Sequence, residues 1–154
     1  FFTVQALNRL GATRTMENFI RYLTAALPED GALPRPVYPL VPNAPIGERA
    51  APALAGFLGQ GPVRIGNAAA EQAQHDAWGS VVMAAAMMFF DRRLPYPGDE
   101  ALYRRLEPLG AAAEAAALTP DAGIWEYRGR TRVHTFSAAM CWAALDRLGR
   151  IAKG

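Results

Sequence analysis

Cysteine is almost missing from this chain of 154 residues, and Cys141 stands alone. No disulfide can therefore close within the chain, and no cysteine cluster can hold a metal. A single thiol suits a reducing compartment, and no charged, apolar leader pattern is visible at the start, so a cytoplasmic setting is expected. Histidine is scarce as well. His75 and His134 are the only two, and neither has a second His or Cys at ligand spacing, so no metal and no cofactor is expected. Lysine occurs once, at Lys153, and 16 basic against 14 acidic residues leave a net charge of +2. That is too little, by itself, to mark a nucleic-acid partner, which needs a concentrated basic face. The longest unbroken apolar run, Val81 to Phe90, falls far short of the ~20 residues of a membrane span. The glycine-rich stretch "GFLGQGPVRIG" has neither the GxGxxG order nor a Walker lysine, and no G-x-S-x-G elbow occurs. No stretch alternates apolar and polar residues as a half-buried strand does.

What is present is helical periodicity on a chain that is 51% apolar, enough for one domain with a real core. Val4, Leu7 and Leu10 share a face, with Gly11 as a stop. Met16, Phe19, Ile20, Leu23 and Leu27 follow at helical spacing until Pro28 closes the segment. The connection from Pro28 to Pro62 holds eight of the twelve prolines and reads as irregular. Asn67 then opens a helix expected to run to about Phe90. Another starts near Asp99, with Leu102, Leu106, Leu109 and Ala113 as its stripe and Pro108 expected to kink or divide it. The last runs from about Ser137 to Ala152, with Cys141, Leu145, Leu148 and Ala152 inward and Asp146, Arg147 and Arg150 toward water. The fold class is all-α, with long loops feeding alternate helices.

Few residues carry chemistry. "EQAQHDAW" places Gln74, His75 and Asp76 beside an apolar stretch, as loop caps or as contacts to a polar ligand. "YRGRTR" offers Tyr127 and three arginines, which could stack and contact phosphate, but a solvated loop is the stronger reading because no other basic cluster extends the footprint. "GIWEYRG" sets Glu126 directly after Trp125. Alone, Glu126 is an ordinary surface carboxylate; an apolar wall beside it would suit a general acid.

Four stretches taken in order, "FFTVQALNRLG", "VRIGNAAAEQAQHDAWGSV", "DAGIWEYRG" and "HTFSAAMCWAALDRLGRIA", resemble glycoside hydrolase family 15, which holds glucoamylases, glucodextranases and some bacterial trehalases. The resemblance implies part of an (α/α)6 toroid, about five of its twelve helices, so residues 1–154 would be a partial catalytic domain. It further implies inverting hydrolysis of α-glucosidic bonds at non-reducing ends, with an α-linked glucose oligosaccharide or polysaccharide as partner. Glu126 matches the family's general acid, Trp125 its sugar-stacking plate and the Ile124 carbonyl a contact to a sugar hydroxyl. Gln74, Asp76, Tyr127 and Arg128 supply further groups of the types that bind sugar. Tyr127 stands where fungal members carry a second Glu, and Ala138 where many bacterial members carry a basic residue. The family's Arg-Asp sugar clamp and its general base lie outside these residues, so the chain by itself is expected to be inactive and to self-associate through the apolar edges Val4, Leu7, Leu10 and Leu145, Leu148, Ile151. A non-catalytic helical module binding carbohydrate or protein is the rival expectation.

Overall fold

A computed structural model describes residues 1–28, 30–41 and 44–154. Among them the helices are α1 (Phe2–Arg9), α2 (Thr13–Ala26), α3 (Asp76–Ala85), α4 (Met87–Phe90), α5 (Glu100–Ala116) and α6 (Thr135–Ile151). The all-α reading holds. The only strands described, β1 (Arg49–Ala50) and β2 (Arg64–Ile65), form a two-residue antiparallel pair too short for alternation to register.

Helices α3, α5 and α6 make the core. The sequence of α3 is apolar almost all round, and a helix of that kind must be enclosed. Val82, Ala84 and Ala85 are accordingly sealed from solvent, together with Leu106, Leu109 and Ala113 of α5 and Cys141 and Ala144 of α6. Two glycines let the helices close up. A Cβ on Gly79 would strike the Met140 backbone of α6, and one on Gly110 would strike Leu148. α1 and α2 lie against this core through Val4, Met16 and Ile20.

Among the described α-helices only α5 has a side-chain N-cap. Asp99 caps α5 by accepting from the Leu102 amide at 2.8 Å. Arg105 donates to the carbonyls of Thr24 and Leu27, at 2.7 and 3.0 Å, where α2 runs out of amide partners. Pro108 lies inside α5 without dividing it, and Gly31 packs against its backbone while the Gly31 carbonyl accepts from the Trp78 indole at 3.2 Å.

Other expectations are corrected. Asn67 does not open the long helix: its side chain accepts from Ala69 and caps only a 3-10 turn, Ala68–Glu71. The chain then runs extended, and α3 begins at Asp76 because the Ala73 carbonyl is engaged by Ala122 rather than by a helical amide. Ala86 keeps helical angles, so α3 and α4 continue nearly as one rod. α6 starts at Thr135, earlier than Ser137, and ends before Ala152, which is exposed. Phe19 is exposed despite lying on an apolar stripe, and Leu10, an expected edge residue, is exposed too, while Val4 and Leu148, also expected at open edges, are buried within the chain.

Candidate active site

The loop between α5 and α6 carries the Trp-Glu pair, and its base is pinned by backbone. Asp121 and Arg132 exchange amide-carbonyl hydrogen bonds of 2.9 and 3.0 Å, forming an isolated antiparallel bridge. The Ala122 amide donates to the Ala73 carbonyl at 2.9 Å, stitching the loop to the segment before α3. Between these anchors the chain makes a tight turn. Gly123 takes φ +67°, and the Glu126 amide returns to the Gly123 carbonyl at 3.0 Å. A side chain at Gly123 would run into the His134 ring.

Glu126 has φ +55°, in the left-handed region that non-glycine residues rarely occupy. Such backbone persists where its surroundings hold it, and it gathers at functional sites. Here the holder is Gln72, whose side-chain amide donates to the Glu126 carbonyl at 3.4 Å. Gln72 in turn accepts from Gln74 at 3.2 Å, so the buried Gln74 supports the acid's turn from below. Trp125, 77% exposed, presents an open indole face beside Glu126. The expected apolar wall around Glu126 is therefore not built by Trp125 within this chain; the ring is a plate that a second surface could face. The Ile124 carbonyl accepts no hydrogen bond among the described residues and is available to a ligand. Tyr127 stacks on His134, with ring centroids 6.1 Å apart.

Arg128 is held by Glu48, with Nη1 and Nη2 donating to the two carboxylate oxygens at 2.9 and 2.8 Å. That pairing holds the Glu48 carboxyl down at about 2, and Arg64 adds a weaker attraction at 3.4 Å. Three of the five guanidinium N–H groups remain for other partners. Glu48 offsets the charge of Arg128.

Beneath the loop lie buried acids. Asp121 is sealed from solvent, and its Oδ2 accepts from the His75 amide and from the Ser137 hydroxyl, both at 2.8 Å. Asp76, first residue of α3, is buried with Oδ1 unpartnered; burial, and then the charge of Asp121, pushes its carboxyl above the ordinary value. The segments before α3 and before α6 thus meet at the N-terminal ends of both helices, as their place in the sequence suggests. Glu48 carries no sequence signature, and Gln72, Asp121 and His134 lie within the stretches quoted above without a role assigned to them there. Asp121 also follows Pro120, at the start of the turn-forming stretch.

A concavity of about 1180 Å³ lies elsewhere, lined by Tyr22, Tyr38, Ile46 and Glu71 among others. Trp125 and Glu126 lie outside it, on an open face. Among the described residues no group of three or more His, Cys, Asp or Glu side chains gathers to hold a metal ion, and no helix is long and apolar enough to cross a membrane.

The sequence model of the glycosyl hydrolases family 15 matches residues 1–154. Among curated relatives, a trehalase of Mycolicibacterium smegmatis is 39% identical over 101 residues, 65% of this chain and 14% of its own length. Trehalase 2 of Sulfolobus acidocaldarius is 29% identical over 153 residues, 99% of this chain and 26% of its own length. A trehalase of Thermoplasma volcanium is 29% identical over 152 residues, again 99% of this chain and 24% of its own length. The chain thus spans a quarter or less of two of these relatives and about a quarter of the third. No solved structure matches it.

Proposed function

The chain belongs to glycosyl hydrolases family 15, and on that footing we propose that it is the acid-bearing part of a catalytic domain that hydrolyses α-glucosidic bonds with inversion. The observation that carries the reading is the Trp125–Glu126 pair, with Glu126 held on a left-handed turn. In this reading Glu126 gives its proton to the glycosidic oxygen as the bond from that oxygen to C1 breaks. Water attacks C1 from the opposite face and loses its proton to a second carboxylate, typically ~6.5–9.5 Å from the first. That base, and the clamp for the innermost sugar, belong to the remainder of the domain. Trp125 stacks on the axial C–H face of a glucose ring. The Ile124 carbonyl, Tyr127 and the unengaged N–H groups of Arg128 meet hydroxyls, and Gln74 and Asp76 form the polar floor. Because the relatives named above are trehalases, α,α-trehalose is the first substrate to try. A cytoplasmic setting belongs to the same proposal, supported by the one cysteine being a buried free thiol.

The test is product analysis with the whole protein on α,α-trehalose, maltose and isomaltose, reading the anomer released by proton NMR. Glu126→Gln should lower kcat by roughly 10²–10⁴-fold on the disaccharide. Glucosyl fluoride needs little protonation and should be much less affected. Equal loss on both substrates would remove Glu126 from the acid's role. The open face around Trp125 favours one second reading, a helical module that binds saccharide without cleaving it. Binding with no turnover by the whole protein would decide for that module.

A further inference from the structure

Glu126 makes no side-chain hydrogen bond among the described residues, so its backbone must set where its carboxyl stands. That backbone hangs from one point. Asp121 lies five residues before Glu126 and is sealed from solvent. Its Oδ2 accepts at once from the His75 amide, at the N-cap of α3, and from the hydroxyl of Ser137, in the first turn of α6. A carboxylate between two helix N-termini meets amides that lack helical partners and the positive ends of two helix dipoles. Its main chain meanwhile closes the bridge to Arg132 that forms the neck of the loop.

Asp121 Oδ1 is buried without a partner, and leaving such an oxygen unpaired costs free energy. What Oδ2 provides is geometry. It joins three segments that are distant in sequence, and each of the three contributes to the Glu126 turn: the loop itself, the Gln72–His75 segment that donates to the Glu126 carbonyl, and α6, whose capping residue His134 packs under Gly123.

We propose that Asp121 is a positioning residue for the acid: through the His75 amide and the Ser137 hydroxyl it fixes the neck of the loop and so the place from which Glu126 delivers its proton. The proposal rests on the reading of Glu126 as general acid. A single oxygen does the holding, so an amide carbonyl in its place can accept the same two hydrogen bonds, whereas a methyl group cannot.

The experiment uses the whole protein with Asp121→Ala, Asp121→Asn, Ser137→Ala and Glu126→Gln. Each is assayed on α,α-trehalose, or on the panel disaccharide turned over fastest, and on glucosyl fluoride. Asp121→Ala should lower kcat on the disaccharide by about 10²-fold, the scale expected when a reacting group is displaced by about 1 Å. Its loss on glucosyl fluoride should be several times smaller, and Asp121→Asn should stay within a few-fold of wild type. A folding defect would lower both substrates alike, because it removes active molecules rather than the acid's placement. If Asp121→Ala does not fold, Ser137→Ala carries the test, with the same unequal loss at about tenfold on the disaccharide. Equal losses on the two substrates, an Asn variant as damaged as the Ala variant, or unchanged kcat in both Asp121→Ala and Ser137→Ala overturns the proposal. Glu126→Gln separates the two ideas. Unequal loss there with equal loss in Asp121→Ala sinks only the positioning role, whereas equal loss in Glu126→Gln sinks the acid itself.

Discussion

Arg128 grips Glu48 with both terminal nitrogens, at 2.9 and 2.8 Å, across 80 residues of sequence. The contact ties the long proline-rich connection to the loop that carries Glu126, and it makes the Glu48 carboxyl a reporter of that tie. Its folded value, about 2, lies below the ordinary 4.5. The contact therefore contributes stability that is fully present above about 4.5 and is lost as pH falls toward 2. Arg128→Leu should return the Glu48 titration toward 4.5, read by carbon-13 NMR of the side-chain carboxyl. An unchanged midpoint in the variant would show that the pair does not form in solution.

Asp76 has the opposite sign. Its carboxyl is pushed up by burial and by Asp121, so the folded state binds a proton more tightly than the unfolded chain does. Stability then declines as pH rises from the ordinary 3.8 through the raised folded value. Asp76→Asn should flatten that decline, measured by urea unfolding over a series of pH values. A variant with the same slope as wild type would place the pH dependence on other groups.

Gly123 and Gly129 both take positive φ in the acid-bearing loop, at +67° and +66°. Alanine at either position bears the left-handed penalty of roughly 1–2 kcal/mol. Only at Gly123 does the new Cβ meet the His134 ring; at Gly129 it meets nothing. Gly123→Ala should therefore cost more stability than Gly129→Ala in thermal unfolding, and should reduce kcat where Gly129→Ala does not. Equal effects would mean that the His134 contact does not shape the turn.

Trp125 is expected to act on both binding and turnover. Trp125→Ala in the whole protein should raise KM and lower kcat, each by about tenfold, since the lost stacking both holds the sugar and screens the acid from water. Wild-type kinetics would reduce the indole to a surface residue.

Residues 1–154 purified alone should release no glucose and should self-associate, with light scattering and a glucose assay as the measurements. The surface that drives association departs in part from the expected edges, because Val4 and Leu148 are already buried while Leu10 stays open. Phe2, Leu10 and Trp142 remain open, each more than 60% exposed. A cooperatively unfolding monomer would argue that these residues need no cover.

The sequence by itself determined the helices and their inner faces. The positions that meet at Met16 and Ile20, at Leu106, Leu109 and Ala113, and at Cys141 and Leu148 recur every three, four or seven residues, a repeat set by the helix itself. The adjacency of Trp125 and Glu126 was legible for the same reason, since it is a property of neighbours. Tertiary structure alone decided what covers each face. Phe19 lies on an apolar stripe and is nonetheless exposed, because a stripe shows which side is oily and not how far the next element reaches. It also decided the start of α3: a capping Asn serves a 3-10 turn as well as a long helix, and only the Ala122 amide on Ala73 distinguishes the two. Asp121 draws its partners from 46 residues before it and 16 after, and Arg128 finds Glu48 80 residues away. Hydrogen bonds and ion pairs act through space over about 3 Å, so residue pairs this far apart in sequence carry no signature until the chain has folded and closed the distance.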